Sequence, residues 1–427
     1  MTKSTTKPIL ALIALASIFG LASSHAETEK KTAPGNGPND VPQATFTSHR
    51  LGTDHAEGIT TMDMNGDGYA DILSGAYWYE NPGPKGGEWK QHQYRTVATQ
   101  GEFVSDCGEW VVDVNHDGAP DVVTTGWMSR ALYWYENPKK PDTTWERHFI
   151  TDTVDTEGGW MADINGDGKP DLILAHYNRG GIIWVDFSGP QPKIHHVGGK
   201  EQDGHGTGVA DINGDGKADI LTPYGWLENI DADHDQWKWH PDWDLGETSF
   251  PIIGYDVNND GKMDIIYGRG HSYGLYWLEQ QAGEWVQHTI DESFSQVHAL
   301  KLADIDGDGK PELIAGKRYR GHNGNDPGSY DPLVIYYYKI DRKNAKFTRY
   351  AISVNGIAGA GTQFVTEDLD HDGDIDIAVA GKTGVHFFEN LRIDKVPPEQ
   401  REREILLNKD WPFPNESHDI QQENGPK

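Results

Sequence analysis

Asp63-Met64-Asn65-Gly66-Asp67-Gly68-Tyr69-Ala70-Asp71 carries oxygen-bearing side chains at its first, third, fifth and ninth positions and glycine at its sixth. Glycine there lets the chain turn sharply enough for the four side chains to face one point. A single such stretch reads equally well as an ordinary Asp/Gly turn. The pattern Asp-x-[Asn/Asp]-x-Asp-Gly-x-x-[Asp/Glu] returns, however, from Asp113, Asp163, Asp211, Asp256, Asp304 and Asp368. The seven starts are 50, 50, 48, 45, 48 and 64 residues apart, the period of four-stranded propeller blades with an insertion in the last gap.

Other features recur in phase. An apolar strand such as Asp171-Leu172-Ile173-Leu174 follows each loop, then an aromatic strand closing in Trp78-Tyr79-Glu80-Asn81 or Trp134-Tyr135-Glu136-Asn137. A further strand pairs an aromatic residue with histidine, as in Trp89 with His92 and Trp145 with His148, and a short glycine-containing strand precedes each loop. Four strands per unit make one blade, and the expected fold is an all-β, seven-bladed β-propeller over residues 45–390. Phe46-Thr47-Ser48-His49-Arg50-Leu51 matches the outer-strand pattern although no blade precedes it, so residues 45–51 are predicted to complete the seventh blade and close the ring.

Hard oxygen ligands select calcium. The expected ligands are Asp63, Asn65, Asp67 and Asp71; Asp113, Asn115, Asp117 and Asp121; Asp163, Asn165, Asp167 and Asp171; Asp211, Asn213, Asp215 and Asp219; Asp256, Asn258, Asp260 and Asp264; Asp304, Asp306, Asp308 and Glu312; and Asp368, Asp370, Asp372 and Asp376. Up to seven structural calcium ions would offset about half of the formal charge of -30. That charge argues against nucleic acid as a partner. Cys107 is the only cysteine, so no intrachain disulfide forms, and bound calcium is the expected substitute.

Lys3 and Lys7, the apolar run Ile9–Ala22 and the small residues before Ala26 predict a signal peptide over 1–26 and a secreted or periplasmic chain. The run is shorter than the roughly 20 residues of a membrane span. Residues 27–44 read as a disordered leader and 391–427 as a polar tail.

Function is sought where the repeat is broken. Equal offsets from successive loops occupy equal heights in a propeller, and six residues before each loop stand Glu57, Cys107, Glu157, His205, Phe250, His298 and Thr362, with Glu109 close by. The opposite ends of the second strands bring Trp127, His176, Arg269, His271, Arg318, Tyr319 and Lys382 to the same rim. His49, His92, His148, His196, His240 and His288 follow the repeat and read as outer-strand packing. His176, His205, His271 and His298 do not. Imidazoles with a carboxylate hold zinc with a position open to substrate, and His205, His271 and His298, joined by His176 or Glu157, are the expected set. His322 lies in the insertion 318–326, which is long enough to form a lid.

The loops and the Tyr-Trp-Tyr-Glu-Asn-Pro segments resemble FG-GAP/VCBS propeller repeats over residues 45–390. Asp203-Gly204-His205-Gly206-Thr207-Gly208, Gly268-Arg269-Gly270-His271-Ser272-Tyr273-Gly274 and Gly316–Gly324 resemble the propeller part of the aldos-2-ulose dehydratase/isomerase family. That resemblance implies water elimination from a keto-sugar such as 1,5-anhydrofructose, with zinc beside structural divalent ions. It implies a base among His176, His322 and Tyr319, an acid such as Glu109 for the leaving hydroxyl, and Arg269 and Arg318 against the enolate. Residues 391–427 are too short for a cupin-like domain, so an isomerase step is not expected. Two other readings of the rim are a non-catalytic glycan- or protein-binding module and a polysaccharide lyase.

Overall fold

The computed structural model describes residues 44–140, 143–175 and 180–392. The expectations for a signal peptide, for most of the leader and for nearly all of the tail fall outside these residues.

Among the described residues the chain forms seven four-stranded antiparallel sheets and one two-stranded hairpin, Thr99–Gln100 with Phe103–Val104. We number the blades by their Asp loops. Blade III shows the plan: inner strand Gly159–Ala162, then Asp171–Ala175, Ile182–Asp186 and outer strand Lys193–Val197, each paired with the next. The second strand is apolar on both faces because it is sandwiched between neighbouring blades, and Asp171–Ala175 is wholly buried. The inner strands of successive blades pack side by side around a central channel.

Blade VII consists of Phe364–Glu367, Asp376–Gly381, Gly384–Asn390 and, as its outer strand, Phe46–Gly52. The pairing runs from Phe46 opposite Asn390 to Gly52 opposite Val385, so the two ends of the propeller share one blade.

The ninth loop position also holds the backbone. Asp71 accepts the backbone N–H of Met64 through Oδ2 and that of Asn81 through Oδ1, both at 2.8 Å, and is fully buried. Asp121, Asp219, Asp264 and Asp376 repeat both bonds. A carboxylate engaged by two backbone donors closes its own loop onto the third strand. The Asn that ends that strand then staples blades together: the Asn81 amide donates to Leu369 O of blade VII, Asn229 to Ile164 O of blade III and Asn390 to Ile305 O of blade VI.

The recurring histidines stack on the aromatic strand and bond its carboxylate. His92 lies on Trp78 with ring centroids 4.2 Å apart, its Nε2 2.9 Å from Glu80, and His240 treats Trp226 and Glu228 likewise. In blade III the stacking residue is His195, on Trp184 at 3.8 Å, and not the expected His196. The pleat turns His195 inward and leaves His196 exposed.

Candidate functional site

Glu157 lies just before the inner strand of blade III, and His205 just before that of blade IV, Gly208–Ala210. His298 is the second residue of the blade VI inner strand Val297–Ala303, and Arg318 follows Glu312–Lys317 of the same blade. His271 occupies the turn between Asp264–Gly268 and Tyr273–Gln281 of blade V. Ligand atoms of Glu157, His205, His271 and His298 all lie within 4.8 Å of one another.

Each ring is held through its Nδ1. His205 Nδ1 is 2.7 Å from Thr248 O, His298 Nδ1 is 3.1 Å from Gly361 O, and His271 Nδ1 is 2.9 Å from Asp326 Oδ2. Thr248 O, Gly361 O and Asp326 Oδ2 accept from the Nδ1–H form of each ring, the form that turns the Nε2 lone pairs of His205 and His271 toward the centre; Arg318 Nη2 also lies 3.0 Å from His271 Nδ1. His205 Nε2 and His271 Nε2 stand 3.0 Å apart, and Glu157 Oε2 is 3.2 Å from His205 Nε2 and 3.3 Å from His298 Nε2. Gly206 permits the close approach, since a Cβ there would meet Thr248 Oγ1 at 1.9 Å.

Burial, then the neighbouring His205, pushes His271 down to about 3, and burial with Arg318 pushes His298 down to about 4. Burial opposes ionisation of Glu157, yet hydrogen bonds to His205 and His298 and the Arg318 charge hold it well below the usual carboxylate range. His271 and His298 are therefore neutral imidazoles beside an ionised Glu157, the protonation states a metal ligand needs. Arg318 reaches His298 Nε2 at 3.0 Å and Glu157 at 3.4 Å, while its Nε is buried and without a partner.

His322 stacks on His271 with centroids 4.5 Å apart, and its Nδ1 is 2.8 Å from Asp326 Oδ1. That bond raises its pKa. Asp326 thus orients both rings. Sequence reasoning assigned it no role, although its place four residues after His322 in the insertion was the available signal. Beside the centre a small cavity of about 20 Å³ is lined by Glu57, Cys107, Trp127, Arg318, His322 and Lys382. The Thr99–Val104 hairpin covers it. Glu102 at the hairpin's turn accepts the Asn323 N–H and pairs with Lys382 Nζ at 2.6 Å.

Four expected residues are placed elsewhere or lie outside the described residues. Glu109 is buried between blades I and II, bonded to Arg95, which also binds Asp106, so it is part of a structural ion cluster and not an acid at the rim. Arg269 turns outward, its guanidinium about 6 Å over the rings of Tyr267 and Tyr276, away from the enolate position expected of it. His176 lies outside the described residues. Tyr319 is half-buried against Gly359 beneath the Arg320 guanidinium, outside the four-residue group.

The Asp loops differ in their counter-charges. In loop seven, ligand atoms of Asp368, Asp370 and Asp376 lie within 4.8 Å of one another, and Asp368 Oδ1 and Asp372 Oδ2 are buried without partners. In loop six, Asp304, Asp306 and Asp308 cluster, but Lys339 pairs with Asp306. Arg342 pairs with Asp256 of loop five at 2.7 Å.

A model of the FG-GAP-like repeat matches residues 113–174, 163–222 and 256–315. Aldos-2-ulose dehydratase of Phanerodontia chrysosporium is 27% identical over 115 residues, which span 25% of this chain and 12% of that enzyme. Among solved structures, an Agrocybe aegerita lectin described for recognition of non-reducing terminal N-acetylglucosamine shares 14% identity over 72% of this chain and 89% of its own, with a TM-score of 0.44. A Bacillus licheniformis rhamnogalacturonan lyase shares 13% over 80% of this chain and 75% of its own, with a TM-score of 0.43. No helix among the described residues is long and apolar enough to cross a membrane. With seven closed blades and the repeat matched in three stretches, this chain is a seven-bladed β-propeller that carries FG-GAP-like repeats and resembles, over part of its length, aldos-2-ulose dehydratase.

Proposed function

We propose that this chain is a carbohydrate-active lyase that eliminates water from a keto-sugar beside a zinc-class metal held by Glu157, His205, His271 and His298. One observation carries the reading. His205 Nε2 and His271 Nε2 face each other at 3.0 Å beside the Glu157 carboxylate, and with an oxygen acceptor at the Nδ1 of each ring the Nδ1–H forms direct both lone pairs at one point. Lone pairs that close repel, and a cation between them turns the repulsion into coordination. A metal bound there supplies Lewis-acid polarisation of the ketone.

The protein's own groups supply the remainder. His322, oriented by Asp326, has Nε2 available to take the proton from the carbon beside the ketone. The C–H electron pair forms the carbon–carbon double bond and the carbonyl oxygen takes the charge, next to the unpartnered Arg318 Nε–H. Return of that charge expels hydroxide from the adjacent carbon, which leaves as water with the proton His322 has carried. The product is a conjugated enone. The partial resemblance to aldos-2-ulose dehydratase favours this substrate class. The Asp loops act as structural calcium sites, with loop seven, whose buried carboxylate oxygens lack partners, the best suited.

Incubation of the metal-loaded protein with 1,5-anhydrofructose is expected to produce enone absorbance in the ultraviolet. His322→Gln should lower kcat by about 10²–10⁴-fold while retaining the metal. His205→Ala should lose metal and activity together. Absence of absorbance from the metal-loaded wild type would end the dehydratase reading. Absorbance on a parallel uronate panel would then favour a polysaccharide lyase, and silence on both a binding module.

A further inference from the structure

Below the histidine centre the same inner strands carry a second set of side chains. Trp160 follows Glu157 by three residues in blade III, and Lys301 follows His298 by three in blade VI, a drop of about 10 Å in extended chain. The two blades stand across the ring from each other, and Lys301 Nζ lies 5.5 Å from the centroid of the Trp160 ring, so the lysine reaches over the channel. Both residues line a cavity of about 350 Å³ walled by inner-strand residues of blades I, II, III, VI and VII together with Pro251, a volume in the range of small-molecule sites. A partition divides it from the centre above. Phe250 packs its ring 4.8 Å from that of His205 and 5.7 Å from that of His298, and Pro251 faces the cavity.

Lys301 differs from the other inward cations. Arg95 has Asp106 and Glu109, Arg318 has Glu157, Lys382 has Glu102, and Lys317 donates to Ser295 Oγ and Gly328 O. Among the described residues Lys301 has no carboxylate within 4.0 Å and no hydrogen-bond acceptor, only the Trp160 face. Its pKa is lowered by burial alone. The nearby acid Glu367 accepts a hydrogen bond from Thr61 Oγ1 at 2.7 Å instead. Lys301 is half-buried and its ammonium faces the cavity with no carboxylate against it, so an anion entering the cavity meets an uncompensated positive charge.

We infer that this axial cavity binds a sugar acid, its single carboxylate paired with Lys301 and its ring beside Trp160. One lysine balances one negative charge, whereas Glu367 on the same wall disfavours a dianion such as phosphate. The hydroxyl groups of Thr61 and Thr366 suit the hydroxyls of such a ligand, and acetate would leave most of the volume unfilled.

Isothermal titration of the whole protein with glucuronate, glucose, acetate and phosphate tests this. Glucuronate should bind one per chain and at least tenfold more tightly than the other three. Lys301→Met should weaken it at least tenfold, Lys301→Arg should restore it, and His205→Ala, which disables the centre above, should leave it unchanged. A crystal soaked with glucuronate should place the carboxylate within about 3.5 Å of Lys301 Nζ, a readout that does not depend on a variant folding. No glucuronate binding, equal binding of glucose, acetate or phosphate, an unaltered Lys301→Met protein, or density at Arg318 alone would each overturn the inference.

Discussion

Asp71, an expected metal-loop ligand, also holds the backbone of its own blade. Both its oxygens take backbone N–H groups, and burial raises its pKa to about 7. Replacing it by alanine strands two buried donors, and Asp71→Ala should lose about 3 kcal/mol in urea unfolding. Asn65→Ala, at a half-buried position of the same loop, should lose less than about 1 kcal/mol when measured without calcium. The loops were legible because they repeat. The division of labour within them was not, because the spacing of oxygens does not say which face backbone and which face solvent. The same limit explains Glu109 and Arg269. An offset from the loop fixes a side chain's height in the ring but not its direction, and at Glu109 that direction is toward Arg95 between two blades. At Glu157, His205 and His298, which share one offset, height and direction coincide at the channel mouth.

Among elements, the strand Phe46–Gly52 has the largest effect for its length, since it alone joins the two ends of the ring. Phe46, 1% exposed and edge-on to Tyr337 at 6.5 Å, anchors it. Phe46→Ala should cost about 3–5 kcal/mol and expose blade VII first in hydrogen exchange. Its partner strand carries His386, fully buried and pushed down to about 4 by burial and then by Arg50. This histidine stays neutral in the fold while the unfolded chain titrates near 6.5, so below that pH the unfolded state binds the extra proton. Stability is therefore present above about pH 6.5 and is lost as pH falls toward 4. His386→Gln should reduce that acid-side loss by about 3 kcal/mol in urea titrations at pH 7 and pH 4. The hairpin Thr99–Val104 was not foreseen in the sequence, because two strands of two residues leave no periodic signal. Glu102 fastens it over the small cavity, and Glu102→Gln should speed metal removal by a chelator several-fold while leaving the melting temperature within about 2 °C of wild type.

For the whole molecule, the ring converts a one-dimensional period into a three-dimensional meeting place. Blades III, IV, V and VI each send one ligand to the centre, and none of the four residues is near another in sequence. If the Asp loops hold calcium, excess chelator should lower the melting temperature by about 10 °C or more, because ions bound only by the fold add stability by mass action. An unmoved melting curve would remove the structural calcium. The account as a whole turns on the histidine centre, and elemental analysis of the protein after dialysis against a weak chelator tests it most directly. One transition-metal ion per chain is predicted, lost in a His205→Ala, His298→Ala double variant that still melts cooperatively. Wild type without such an ion, or a double variant that keeps it, would contradict the account.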